Sequence, residues 1–103
     1  MRYTSRMRVE KTEEYKAWID SLKDRAGRAR ILMRVDRLLH GNAGSHRDLT
    51  EGVSELKVDV GPGYRVYYST RGTRLLLLLA GGDKASQQKD IALALSLNRN
   101  FKE

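Results

Sequence analysis

The 103-residue sequence has no cysteine, one proline, one tryptophan and one phenylalanine. Without cysteine there is neither a disulfide framework nor a thiolate nucleophile or metal ligand, and the chain suits a reducing, cytoplasmic setting. With one proline, no internal repeat and no low-complexity segment, linkers should be short and residues 1–103 read as a single domain. Long apolar runs are also missing. The opening MRYTSRMRVEKTEEY lacks the apolar stretch of a secretory signal, and LLLLLA from Leu75 is far too short to cross a bilayer, so no membrane association is expected. Acid is the minority charge. Twenty Lys and Arg against 13 Asp and Glu leave a formal charge of +7, which favours a polyanionic partner.

Residues 6–11 alternate weakly and suggest an edge strand, after which Thr12 with Glu13 and Glu14 makes a helix start. Tyr15, Trp18, Ile19 and Leu22 then share one helical stripe. A second helix is predicted from about Asp24 to Leu39, with Ile31, Val35, Leu38 and Leu39 inward and Gly41-Asn42 as its stop. The two should form a helical hairpin. Arg30, Arg34 and Arg37 stand about a quarter turn from the apolar stripe, a basic face that is either solvated surface or phosphate-facing. Residues 40–51 read as a polar loop carrying exposed His40 and His46. Neither histidine has a second histidine or a carboxylate at ligand spacing, so no metal or other cofactor is expected.

From Val53 the period changes to two. Ser54, Leu56, Val58 and Val60 take one face, Glu55, Lys57 and Asp59 the other, which reads as a half-exposed strand. Gly61-Pro62-Gly63 fits a type II turn, and the chain returns as Tyr64–Ser69 with Tyr64, Val66 and Tyr68 on the core face. Leu75–Leu79 suits an interior strand buried on both faces. A last helix, capped by Ser86, should run to Phe101.

The strand face opposite the core raises the question of function. A hairpin here makes Lys57 and Arg65 cross-strand neighbours, two like charges best tolerated around an anion such as phosphate. Lys84, just past the buried strand, could bring a third cation, with Gln87 and Asp90 overlooking the place from the last helix. On the residues alone this is an anion site of low specificity.

Several segments then acquire a further meaning: Trp18–Leu22 with GRARILMRVDRLLHGN, then GVSELKVDVGPGYRVYY, then LLLLLAGGDKASQQKDI. In this order and spacing they resemble the RelE/ParE superfamily of bacterial toxins, specifically the HigB-like branch of addiction-module killer proteins, over nearly the whole chain. The resemblance implies an α+β fold, with an N-terminal helical hairpin packed on a mostly antiparallel four-stranded sheet and a C-terminal helix. It also implies a type II toxin, a metal-independent endoribonuclease that cuts mRNA in the ribosomal A site and is neutralised in a hetero-oligomer by a helix-turn-helix (HigA-like) antitoxin. Carried over, Arg65 matches the arginine that binds the scissile phosphate and Lys84 a basic residue of the same site. Lys57 lies where relatives often have arginine, and Asp90 near a tyrosine or acid of other branches.

The implied chemistry is attack of a 2′-hydroxyl on the adjacent phosphorus with loss of the 5′-oxygen. Arg65 and Lys84 would hold the developing charge, and Asp90 or Lys57 would act as base. Arg30, Arg34, Arg37 and Gln87 would contact RNA. Two rivals remain at this stage, a ParE-like gyrase poison without nuclease activity and a non-catalytic basic RNA-binding module. Arg65→Ala is expected to abolish cleavage and leave folding nearly unchanged.

Overall fold

The computed structural model describes residues 7–103. Its elements in order are β1 (Arg8–Lys11), α1 (Glu13–Ser21), α2 (Arg25–Leu39), β2 (His46–Asp48), β3 (Ser54–Val58), β4 (Tyr64–Arg71), β5 (Leu75–Asp83), a 3₁₀ turn (Lys84–Ser86) and α3 (Gln87–Asn100). The expected first strand began at residue 6, which lies outside the described residues. The α+β class holds, but the sheet has five strands, in the order β1-β5-β4-β3-β2. Three of its pairings are antiparallel, while β1 runs parallel to β5.

The strand missing from the sequence reading is β2. Its three residues are all exposed and of turn-forming or charged types, so no buried face advertises it; pairing with β3 alone defines it. At the other side of the sheet, β5 lies between β1 and β4, and Leu75 to Ala80 are all buried, as an interior strand requires.

Each face of the sheet is covered. On one, Tyr15 and Ile19 of α1 and Ile31 and Leu38 of α2 pack on Leu56, Val58, Tyr64, Val66, Tyr68, Leu76 and Leu78. On the other, Ala94 of α3 joins Val53, Tyr67, Leu77, Leu79 and Ala80. Burying one such leucine contributes roughly 1.5–3 kcal/mol, and the alternation of a strand sends neighbouring residues into different layers. The face of β3 that carries Glu55 is only partly exposed: Lys57 is half-buried, whereas Glu55 is fully buried and meets Gln87 of α3.

Local chemistry fixes the helix ends. Thr12 caps α1 by accepting from the Tyr15 N–H, and its own hydroxyl donates to the Leu79 carbonyl at 2.5 Å, tying the helix start to β5. Asp24 caps α2 by accepting from the Gly27 N–H at 2.9 Å and also receives the Tyr64 hydroxyl at 2.7 Å. A Cβ on Gly27 would come within 2.6 Å of both Asp24 Oδ2 and the Tyr64 ring, so glycine is what lets the cap close on the sheet. Ser86 takes the N-cap position of the last helix, as expected, but its side chain makes no capping hydrogen bond to that helix's N–H groups. Asp83 instead accepts from the Ala85 and Ser86 N–H groups and starts the 3₁₀ turn, while the Ser86 hydroxyl turns to Asp90. The far end of α3 is held by Asn98, which accepts from the Ser69 hydroxyl at 2.7 Å and donates to the Glu51 carbonyl at 3.1 Å.

Two tyrosines give a measurable consequence. The Asp24 carboxylate that accepts the Tyr64 hydroxyl pushes its pKa up to about 12, and burial does the same for Tyr15. In the unfolded chain both phenols ionise near pH 10. Between these values the folded form holds more protons, so stability is fully present below about pH 10 and falls as pH rises towards about 12. Denaturant midpoints measured across that window should decline, and Tyr64→Phe should make the decline shallower. No described helix is long and apolar enough to cross a membrane.

Candidate anion site

The chain between β3 and β4 turns tightly. The Gly63 N–H donates to the Val60 carbonyl at 2.9 Å, with Gly61 at φ 52° inside the turn, so the hydrogen-bonded turn starts one residue earlier than the sequence suggested. Gly63, at φ 81°, then delivers the chain into β4. A β-carbon on Gly63 would stand 3.7 Å from both Arg65 Nη1 and Lys84 Cβ, so the two cationic side chains flank the same glycine. They share a shallow pocket of about 310 Å³ with Asp59, Gly61 and Pro62.

Arg65 sits deep in this wall, only 6 % exposed. Its Nη1 donates to the Tyr64 carbonyl at 3.1 Å and stands 3.7 Å from Asp59 at the rim. Its Nε points inward, 3.8 Å from Glu55 Oε2. That carboxylate accepts from Gln87 Nε2 of α3 at 2.5 Å and faces Arg47 of β2 at 3.1 Å. Burial, and after it the charge of Glu55, pushes the Tyr67 hydroxyl far above the ordinary phenol range. Lys84 is exposed, at the start of the 3₁₀ turn.

The expected residues divide. Lys57 and Arg65 are cross-strand partners in the register, as the hairpin implied. Asp90 is buried and packs over Gly82, the other register partner of Arg65, but it does not line the pocket. Gln87 is occupied by Glu55. Arg30 and Arg37 are exposed on α2, whose buried side covers the sheet face opposite to Arg65. Arg34 is a correction to the basic face. Its guanidinium donates to the carbonyls of Lys57 at 2.7 Å and of Ala43 and Ser45 at 3.0 Å each, so it fastens α2 to the following loop and to β3. Arg34→Ala should cost about 1–3 kcal/mol in a denaturation series, because it strands the Lys57 and Ala43 carbonyls while Ser45 keeps only the Lys57 N–H, whereas Arg37→Ala should be nearly neutral.

Glu55 is the member of the site that sequence reasoning missed. His40 and His46 are exposed, as expected, and lie outside the pocket. A larger, mostly apolar hollow of about 510 Å³ opens at the end of α2 between Leu38, Leu39, Ala43 and Leu76, with His40 the one titratable residue on its wall among the described residues.

Comparison with known proteins finds a relative that is 39 % identical over 88 residues, an uncharacterized protein of Haemophilus influenzae; the match covers 85 % of this chain and 89 % of the relative. The chain belongs to the family of that protein. No protein-family model matches the sequence. The shared length takes in most of the sheet and helices in any alignment, since at most 15 residues of this chain lie outside it (103 against 88).

Chemically, the pocket offers a buried guanidinium bonded to the Tyr64 carbonyl and an ammonium on a flexible stem, around a tight backbone turn with the Asp59 carboxylate at its rim. That combination suits a phosphate or phosphodiester, the guanidinium as a planar fork and the lysine as a point charge.

Proposed function

We propose that the protein is the toxin of a type II toxin-antitoxin pair, of RelE/HigB type, which cuts mRNA on the ribosome. The observation that carries this reading is that Arg65 and Lys84, the two residues matched to phosphate-binding positions, line one pocket beside the Gly61-Pro62-Gly63 turn. Lys57 across the ladder from Arg65 and the excess of 20 basic over 13 acidic residues favour an RNA substrate held by its backbone.

In this mechanism the substrate phosphodiester sits between Arg65 and Lys84. The 2′-hydroxyl attacks phosphorus, the P–O5′ bond breaks, and the products carry a 2′,3′-cyclic phosphate and a 5′-hydroxyl. Arg65 meets the charge that develops on the non-bridging oxygens, and its burial and its bond to the Tyr64 carbonyl limit its motion there. Lys84 stands where it can neutralise or protonate the departing oxygen. Neither Lys57 nor Asp90 lines the pocket; of the two, Lys57 as the neutral amine is the candidate for proton removal, because Asp90 is buried and engaged by Ser86. The ribosome supplies substrate alignment, and a cognate helix-turn-helix antitoxin, bound as a hetero-oligomer in the cytoplasm, holds the toxin in check.

Expression without an antitoxin should arrest growth of a bacterial host, and primer extension should reveal new mRNA 5′ ends. Lys84→Ala, at an exposed position, should lower cleavage by about 10²-fold or more with an unchanged melting curve. Growth arrest with intact mRNA and damaged DNA would refute the nuclease reading in favour of gyrase poisoning.

A further inference from the structure

Glu55 is 0 % exposed, and a carboxylate in such a place is costly unless charge and hydrogen bonds compensate it. Its register partners are Arg47 on β2 and Tyr67 on β4, with Arg65 diagonal to it on the same face. Three buried polar atoms here lack a hydrogen bond: Glu55 Oε1, Arg65 Nε and the Tyr67 hydroxyl. Two are donors and one is an acceptor. Arg47, though 3.1 Å from Oε1, is out of line for a hydrogen bond to it. Such a buried charge adds little to folding that an apolar residue of the same volume would not.

We propose that Glu55 is the positioning residue for Arg65. The carboxylate, itself held by Gln87 from α3, faces the inner Nε edge of the guanidinium. The outer edge of Arg65 is thereby left to face the pocket it shares with Lys84. Glu55 does not line that pocket and cannot touch a ligand there, so whatever it does for binding or cleavage passes through Arg65. Asp59 at the rim is the competing partner, 3.7 Å from Nη1. Without Glu55 the guanidinium would turn outward to Asp59, and its fork would no longer be presented to phosphate. The consequence for RNA cleavage rests on the function proposed above; the consequence for the arginine does not.

The test combines nitrogen-15 NMR of the Arg65 Nε–H group, assigned by its loss in Arg65→Lys, with cleavage kinetics on programmed ribosomes. In the wild type this Nε–H should be resolved and slow to exchange with water. Glu55→Gln, nearly isosteric, should shift it and open it to exchange. The same variant should lower kcat on the order of 10²-fold, the usual cost of a misplaced contact group, while KM for the ribosome changes little. Glu55→Asp should fall between the two. In an Arg65→Lys background, which keeps a measurable residue of cleavage but has no guanidinium for Glu55 to position, Glu55→Gln should cause little further loss.

An unshifted Nε–H signal in Glu55→Gln, or an equal loss of cleavage in both backgrounds, would overturn the proposal. So would a wild-type Nε–H that exchanges freely, a result that needs no variant to fold. If the wild type cleaves no RNA but the Arg65 signal answers to Glu55, the positioning role stands and the nuclease reading falls.

Discussion

Arg65→Ala is expected to abolish mRNA cleavage and also to lower folding stability by about 3 kcal/mol, because it leaves the carboxylate of Glu55 buried with one fewer cation. The sequence alone suggested a harmless truncation. Burial reverses that: a strand residue only 6 % exposed cannot be cut back to its β-carbon at no cost, and total stabilities of such domains are about 5–15 kcal/mol. Loss of function and loss of fold can be separated. Arg65→Leu combined with Glu55→Leu removes both buried charges and should recover most of the stability, while cleavage stays absent. Arg65→Lys keeps a charge but not the fork, and should fold better than Arg65→Ala while cleaving poorly. Recovery of cleavage in the double leucine variant would show that Arg65 serves the fold alone.

Gly81→Ala should be strongly destabilising. A β-carbon there would meet Trp18 Cε3 and Cζ3 at 2.2 Å, so the indole must leave its seat on β5. That seat matters because Trp18 also packs against Tyr15 at 5.9 Å and Tyr64 at 6.4 Å between ring centroids, joining α1 to β4. Overpacking of this kind costs about 3 kcal/mol. For a domain of this size the melting temperature should drop by roughly 15 °C. Trp18 is the single tryptophan, so its fluorescence reports the displacement directly. Gly72→Ala is the control. It meets nothing within 4 Å, and its φ of 60° makes it a question of backbone strain only, about 1 kcal/mol.

The GGDK segment shows what was legible and what was not. As a string it could be quoted for a resemblance. The reasons for its glycines, the indole over Gly81 and the Asp90 carboxylate against Gly82, depend on residues far away in the chain. Helices α1 and α2 were readable nearly to the residue, since Thr12 and Asp24 announce their caps and the apolar spacing is helical. β2 was not, because it has no buried side.

Arg34 and Glu55 failed for a shared reason. A charged residue beside an apolar stripe looks solvated, yet Arg34 reaches across to three carbonyls and Glu55 lies beneath α3. One signal for Glu55 was present. The C-terminal helix is apolar enough to need a sheet face, the two N-terminal helices occupy the other, and the face bearing Glu55, Arg65 and Tyr67 is the one left. The partnership of Arg65 with Lys84 was anticipated from the position of Lys84 just past the buried strand and from the resemblance; their common glycine gives it a geometric basis.

The most direct measurement is to add the purified protein to ribosomes programmed with a defined mRNA and to identify the chemistry of the new ends. The wild type should give 5′-hydroxyl ends opposite 2′,3′-cyclic phosphates, and Lys84→Ala at least about 10²-fold fewer at equal folded concentration. Intact mRNA with a correctly folded wild-type protein, or ends bearing 5′-phosphates, would contradict it.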